Sequence, residues 1–439
     1  MTNKTLPKLS LILFIAIVAL SSSISNLIPP NLSTISMYFG FGGDTFPLGL
    51  LTSIFTIISG FAMLIFGYLA DKFARKWIII IGAFLFTTFS ALTIIIIPGL
   101  GGYFTFFVFT VLMGVGYGAL IPSSFSLIGD IVSENDRSKG FSFFSIASLI
   151  GIVLGNGLAA FTLDWRVSFF IIGIVGLIIS FFLTSIREPS RMGLDHSGTG
   201  SDNIYPYRIK RSDFPVIFKK KANVYLIINF VDTIPTGIII FLLYEYMLSY
   251  HGISSDITIF LLLFILLATL IGTIVFGYLG DKSFRKGNKK ARVKLALYGN
   301  VLPIPFIFIA LIIPFQAPNL FPGLIIWVIL MMVGIFLNGA VNGNWYATVV
   351  DLNLPEHRGT VLATSNFFDI IGRSIGPVIG AIIADTLGFV YGMMISIFFW
   401  ILIPFFWIAV LKNIIPEMEQ TAEIFSQRLQ NISETSTPN

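Results

Sequence analysis

Residues 67–76 read GYLADKFARK, and residues 277–286 read GYLGDKSFRK. Each copy closes a long apolar stretch and precedes another. A charged turn that returns nearly intact marks a chain built from two similar halves. One constant shift also sets Gly118 on Gly339, Asp130 on Asp351, Arg137 on Arg358, Gly151 on Gly372, Gly155 on Gly376 and Asp164 on Asp385. Six apolar segments separate equivalent positions, so both halves run the same way through a membrane, related by an axis along its normal.

Composition places the chain in lipid. Hydrophobic residues make up 55% and charged residues 11%, with mean hydropathy +0.90, which excludes a water-soluble globule. Forty-five Phe suit acyl chains better than a soluble core. The absence of Cys excludes disulfides, thiol nucleophiles and thiolate metal sites, and three His form no zinc-binding pattern.

Segments of roughly 20 apolar residues, enough for a ~30 Å hydrocarbon layer, occur twelve times. They cover 9–38, 47–70, 77–98, 103–131, 140–163 and 167–186, then 224–249, 257–280, 293–314, 322–350, 360–384 and 389–411. The first is read as a span and not as a removable signal segment. It holds Pro29 and Pro30, which predict a kink or break. The expected fold is all-α and integral to the membrane, with twelve helices in two pseudo-symmetric six-helix bundles. The expected divisions are a first bundle over 1–186, a linker over 187–222, a second bundle over 223–411 and a polar, loosely structured tail over 412–439.

Charge placement predicts orientation. With the N-terminus in the cytoplasm, 25 of the 27 Lys and Arg fall on cytoplasmic segments. Only Arg166, outside, and Arg373, within a span, remain. This asymmetry predicts a cell-membrane protein with both termini cytoplasmic. The net charge of +5 is then a topology signal and gives no reason to expect nucleic acid. Lys219, Lys220 and Lys221 read as an inside anchor for the seventh span.

Polar residues within spans point to a solute path, because burying them in hydrocarbon is costly. The seventh span carries Asn229, Asp232, Thr233 and Thr236 on one helical face. Glu245 follows near the outer mouth of that span. The tenth span offers Asn338, Asn342 and Trp345, and the first offers Ser22 and Asn26. Each neutral member alone is equally a helix-packing residue. In the eleventh span, Asp369 and Arg373 stand four apart. They read either as a static ion pair or as a pair switched by a proton or an anionic solute. The equivalent first-half positions are Ser148 and Ile152, so the pair is not part of the repeat.

The two signature turns, the twelve spans and the central linker together resemble the major facilitator superfamily over nearly the whole chain. Gly67, Leu69, Asp71, Arg75 and Lys76 match its turn between the second and third spans. Gly277, Leu279, Asp281, Arg285 and Lys286 match the second copy. The usual second glycine is Ala74 in one and Phe284 in the other. Residues 355–377, PEHRGTVLATSNFFDIIGRSIGP, resemble spinster-like members locally.

The resemblance implies a carrier working by alternating access, with spans one, four, seven and ten lining its cavity. It further implies that Gly67, Asp71, Arg75, Gly277, Asp281 and Arg285 act as a conformational gate; a local turn cap is the alternative for Asp71. No HExxH, GxSxG or Walker-type loop is present, so no enzyme and no ATP-driven pump is expected. No cofactor is called for. The expected partners are a small organic solute, a proton or sodium ion, and the bilayer, with the chain acting as a monomer. A passive lipid or lysolipid carrier or scramblase and a transport-inactive receptor are the alternatives.

Overall fold

The computed structural model describes residues 8–72, 74–131, 137–185, 210 and 212–435. Among them every extended element is a helix. That is what hydrocarbon demands, since a helix satisfies its own backbone polar groups.

The first half comprises α1 (Lys8–Ser25), α2 (Leu32–Phe39), α3 (Phe46–Lys72), α4 (Arg75–Leu92), α5 (Leu100–Ile131), α6 (Arg137–Phe161) and α7 (Trp165–Leu183). The first span breaks where its prolines predict: a 3-10 turn at Pro29–Asn31 separates α1 from α2. The second half comprises α8 (Asp213–Lys219), α9 (Lys221–Ile228), α10 (Thr233–Glu245), α11 (Ser255–Arg285), α12 (Ala291–Val301), α13 (Pro303–Ile312), α14 (Gly323–Asn338), α15 (Ala340–Leu352), α16 (Pro355–Leu387) and α17 (Phe389–Thr435). Among the described residues, eleven stretches are long and apolar enough to cross a membrane. The twelfth expected span is α6, whose described apolar part is Ala147–Phe161. The chain is a multi-pass helical membrane protein with the twelve-helix, two-bundle architecture.

Two compact units form. The first gathers Met1–Thr199, Ile238–Phe260 and Ser374–Gly392; the second gathers Gly200–Gly237, Leu261–Arg373 and Met393–Asn439. In the first unit, α4 and α5 cross at two glycines. A Cβ at Gly82 would come 2.8 Å from the Gly116 carbonyl oxygen, and one at Gly116 would come 2.7 Å from that of Gly82. Neither position has room for a side chain, so backbones meet directly. Large side chains such as Phe161, Phe181 and Phe104 stay on the surface, where a soluble protein would not leave them.

The repeat is visible in packing. Gly151 of α6 lies so close to α1 that a Cβ would be 2.0 Å from the Ala19 carbonyl oxygen. Its partner in the repeat, Gly372 of α16, lies equally close to the segment joining α9 and α10.

One expectation about a polar segment changes. The tail does not leave the fold at Pro416, because α17 continues to Thr435. Glu417 accepts hydrogen bonds from the Lys221 and Ala222 backbone N–H groups, at 2.9 and 3.1 Å, and so caps α9. Lys220, one of the three lysines read as an inside anchor for the seventh span, donates to the Leu352 carbonyl at 2.8 Å and to Thr421 Oγ1 at 2.6 Å. Burial holds the Lys220 ammonium below the usual lysine range, with Glu417 opposing that effect. Of the expected linker, 210 and 212–222 are described, and α8 occupies the end of it; 187–209 and 211 lie outside the described residues.

Candidate functional site

The seventh span is interrupted. Between α9 and α10 the chain makes a 3-10 segment, Asn229–Asp232. Pro235 supplies a cause: it has no N–H for the Val231 carbonyl, and its ring crowds that carbonyl, which disfavours a regular helix here. The break falls on the polar stripe that the sequence marks.

Against this break packs α16. Thr233 Oγ1 lies 2.7 Å from the Phe230 carbonyl and 2.8 Å from the Asp369 carbonyl, so one hydroxyl proton serves both helices. Gly372 permits the approach, since a Cβ there would sit 2.3 Å from Thr233 Oγ1 and 2.5 Å from the Phe230 carbonyl oxygen. The result brings Asp232 and Asp369 within electrostatic range of each other. Both are half-buried. The Trp400 indole of α17 hydrogen-bonds Asp232. Tyr346 of α15 donates to Asn366 Oδ1 at 3.1 Å and lies in the field of both Asp369 and Arg373. Asn229 Oδ1 is buried and accepts no hydrogen bond among the described residues.

Arg373 attracts Asp369 through space, but among the described residues no salt bridge joins them. Its side chain is exposed. The direct pair expected from the four-residue spacing is therefore not formed here. Two carboxylates, an exposed guanidinium, a phenol and an indole stand together around a broken helix. This arrangement can hold a solute bearing both polar and aromatic groups, and two neighbouring carboxylates offer a place for a cation.

The remaining sequence candidates divide. Thr236 is half-buried one turn beyond Asp232, and Asn342 is exposed. Trp345 is buried, and its indole donates to the Leu226 carbonyl at 3.2 Å. Asn338 donates to the Gly299 carbonyl at 3.3 Å. Both hydrogen bonds join neighbouring helices. The tenth span changes helix between Asn338 and Ala340 at Gly339, which keeps right-handed helical dihedrals. Asn26 hydrogen-bonds the Ser22 carbonyl at 2.8 Å, which closes the end of α1. Glu245 lies in the first unit, almost fully buried, and accepts from the Ser33 and Ser249 hydroxyls. Tyr346 and Trp400 were not marked by sequence reasoning.

The chain matches the Major Facilitator Superfamily over residues 11–367 and again over residues 225–433. It belongs to that superfamily. It is 30% identical to Protein spinster of Drosophila melanogaster over 170 residues, which are 38% of this chain and 26% of that protein. It is 26% identical to Multidrug resistance protein 2 of Bacillus subtilis (strain 168) over 266 residues, 58% of this chain and 63% of that one. The chain thus spans about a quarter of one relative and under two-thirds of the other. Its fold resembles the crystal structure of a bacterial homolog to human lysosomal transporter spinster, inward-facing and unoccupied. The TM-score is 0.76 at 16% identity, covering 93% of this chain and 98% of that one.

In this superfamily member the two signature turns differ in what is described. Gly67 and Gly277 stand in open space. Asp71 lies in the last turn of α3, but its side chain lies outside the described residues. Arg75 opens α4 and is buried. In the second copy, Asp281 pairs with Arg292 at 2.6 Å, and Arg292 also pairs with Asp351, one of the repeat positions. The Arg292 guanidinium sits 4.1 Å from the Phe284 ring centroid, so the Phe in place of the usual glycine braces the cation. Arg285 makes a long 3.4 Å hydrogen bond to the Asp281 carbonyl and no salt bridge among the described residues.

Proposed function

We propose that this transporter carries a small organic solute, amphiphilic or drug-like, by alternating access coupled to protons. The observation that carries the reading is the pair Asp232 and Asp369, set within range of each other beside an interrupted helix. Two carboxylates in a poorly solvated wall repel, and a proton, sodium ion or cationic group of a solute relieves that repulsion. Trp400, Tyr346 and the unpartnered Asn229 Oδ1 would then contact the solute. The similarity to a multidrug resistance protein supports a drug-like cargo. The charge asymmetry supports a cell-membrane protein with both termini in the cytoplasm; the proposed divisions are bundles over 1–186 and 223–411, joined by 187–222 and followed by 412–439, in a chain that acts as a monomer.

The test uses purified protein in liposomes, with ethidium as probe and an imposed pH gradient. Gradient-dependent flux that Asp232→Asn abolishes is the expected result. Flux unchanged when a protonophore collapses the gradient would remove the proton from the reading.

A second reading, passage of an anionic single-chain amphiphile, is favoured by one observation. Arg373 is exposed, with no salt bridge among the described residues. Translocation of a fluorescent lysophosphatidate in the same vesicles without any gradient, lost in Arg373→Ala, would select it.

A further inference from the structure

Asp164 and Asp385 occupy equivalent positions of the repeat, each at the end of the fifth span of its half, yet they do different work. Asp164 serves its own half. Its carboxylate accepts from the Arg166 backbone N–H at 3.0 Å, capping α7, and pairs with the Arg166 guanidinium at 2.6 Å. Two residues after Asp385 stands Leu387, so the second copy has no cation to hold its carboxylate locally.

Instead, within the first unit, Asp385 reaches α3. It accepts from the Thr45 N–H at 2.8 and 2.9 Å, from Thr45 Oγ1 at 2.8 Å and from the Phe46 N–H at 2.7 Å. Thr45 precedes α3, and its carbonyl accepts from the Gly49 N–H at 2.9 Å. The first N–H groups of α3, orphaned by helix geometry, are thus satisfied by a carboxylate from the other half of the sequence. One turn along, α3 and α16 touch backbone to backbone: a Cβ at Gly49 would lie 2.7 Å from the Pro377 carbonyl oxygen and 3.0 Å from the Ala381 Cβ.

We propose that Asp385 and the N-terminus of α3 form a latch that closes this end of the carrier and must release in each transport cycle. The bonds suit that task. Four short hydrogen bonds to a helix N-terminus bias the closed arrangement, while the exposure of Asp385 lets water take over those bonds on opening. A carboxylate held by a local arginine, as Asp164 is, could not be exchanged so cheaply. The latch rests on alternating access but on no particular cargo, and with the proposed orientation it lies on the outer side.

Ser53 provides the reporter. It stands one turn after Gly49 on the same face of α3, is 4% exposed, and Ser53→Cys adds the only thiol to a chain without cysteine. Labelling by a membrane-impermeant maleimide in proteoliposomes needs no solute, so it stays informative if the reading of the cargo fails. Ser53→Cys alone should label slowly. Adding Asp385→Asn should speed labelling at least about fivefold, adding Asp164→Asn should leave it unchanged, and Asp385→Glu should restore the slow rate. Should Asp385→Asn fail to fold, Thr45→Val removes only the hydroxyl bond and should speed labelling about twofold. Equal labelling rates in the folded variants, or acceleration by Asp164→Asn as large as that by Asp385→Asn, would overturn the latch.

Discussion

The Thr233 hydroxyl lies 2.8 Å from the Asp369 carbonyl, which fastens α16 to the helix break next to both candidate carboxylates. The spacing of Asp232 and Asp369 therefore depends on how closely these two elements approach, and Gly372 sets that approach.

Gly372→Ala tests this dependence. The added methyl meets a hydroxyl and a backbone carbonyl, both far inside ordinary contact distance, so the helices must separate. Overpacking of this kind costs about 1–3 kcal/mol. A lower melting temperature in detergent is expected, together with a shifted pH profile of flux as the carboxylates move apart. An unchanged pH profile would show that their spacing does not matter to transport.

Pro235→Ala addresses the break itself. It returns an N–H for the Val231 carbonyl and lets α9 and α10 join into one helix. The melting temperature should hold or rise, while flux falls about tenfold because Asn229 and Asp232 rotate with the rewound segment. Flux at the native level would mean that the interruption is incidental.

Much of this was legible in sequence. The repeat, the spans and the break at Pro29 follow from apolar length and proline chemistry, and Asp232 and Asp369 stand out because carboxylates are rare in hydrocarbon. Spacing did not reveal that Trp345 and Asn338 each hydrogen-bond a backbone carbonyl of a neighbouring helix, because such partners lie far away in sequence. Tyr346 and Trp400 were hidden for another reason. In a chain with 15% aromatic residues, nothing local separates a ring beside a carboxylate from a ring in lipid. The tail followed a long-range cause: its helix persists because Glu417 and Thr421 find the ends of α9 and α15.

Asp164 should give the fold a pH-dependent component. The Arg166 hydrogen bond and charge hold its carboxyl below the ordinary 3.8. A carboxylate depressed in the folded state contributes stability that is complete above 3.8 and fades as pH falls through the folded value. Asp164→Asn keeps a competent helix cap but loses the charge. The melting-temperature gap between native protein and this variant should be constant from pH 7 to 5 and close below 3.8. A gap that persists at pH 2 would mean that the charge is not its source.

Arg292 separates the stabilising from the mechanical part of the second signature. Its side chain is 15% exposed and bridges Asp351, at 20%, and Asp281, at 53%. The exposed partner adds little to stability, because water screens it. The Asp351 pair is better shielded, so Arg292→Ala leaves a half-buried carboxylate without its cation, at a cost approaching the ~3–5 kcal/mol of a fully buried break. Adding Asp351→Asn should return most of the lost melting temperature. Asp281→Asn alone should cost under about 1 kcal/mol, yet slow flux if this turn acts as a gate. Normal flux in Asp281→Asn, with stability lost in Arg292→Ala, would assign the cluster to holding the fold and leave the gating to the first copy of the turn.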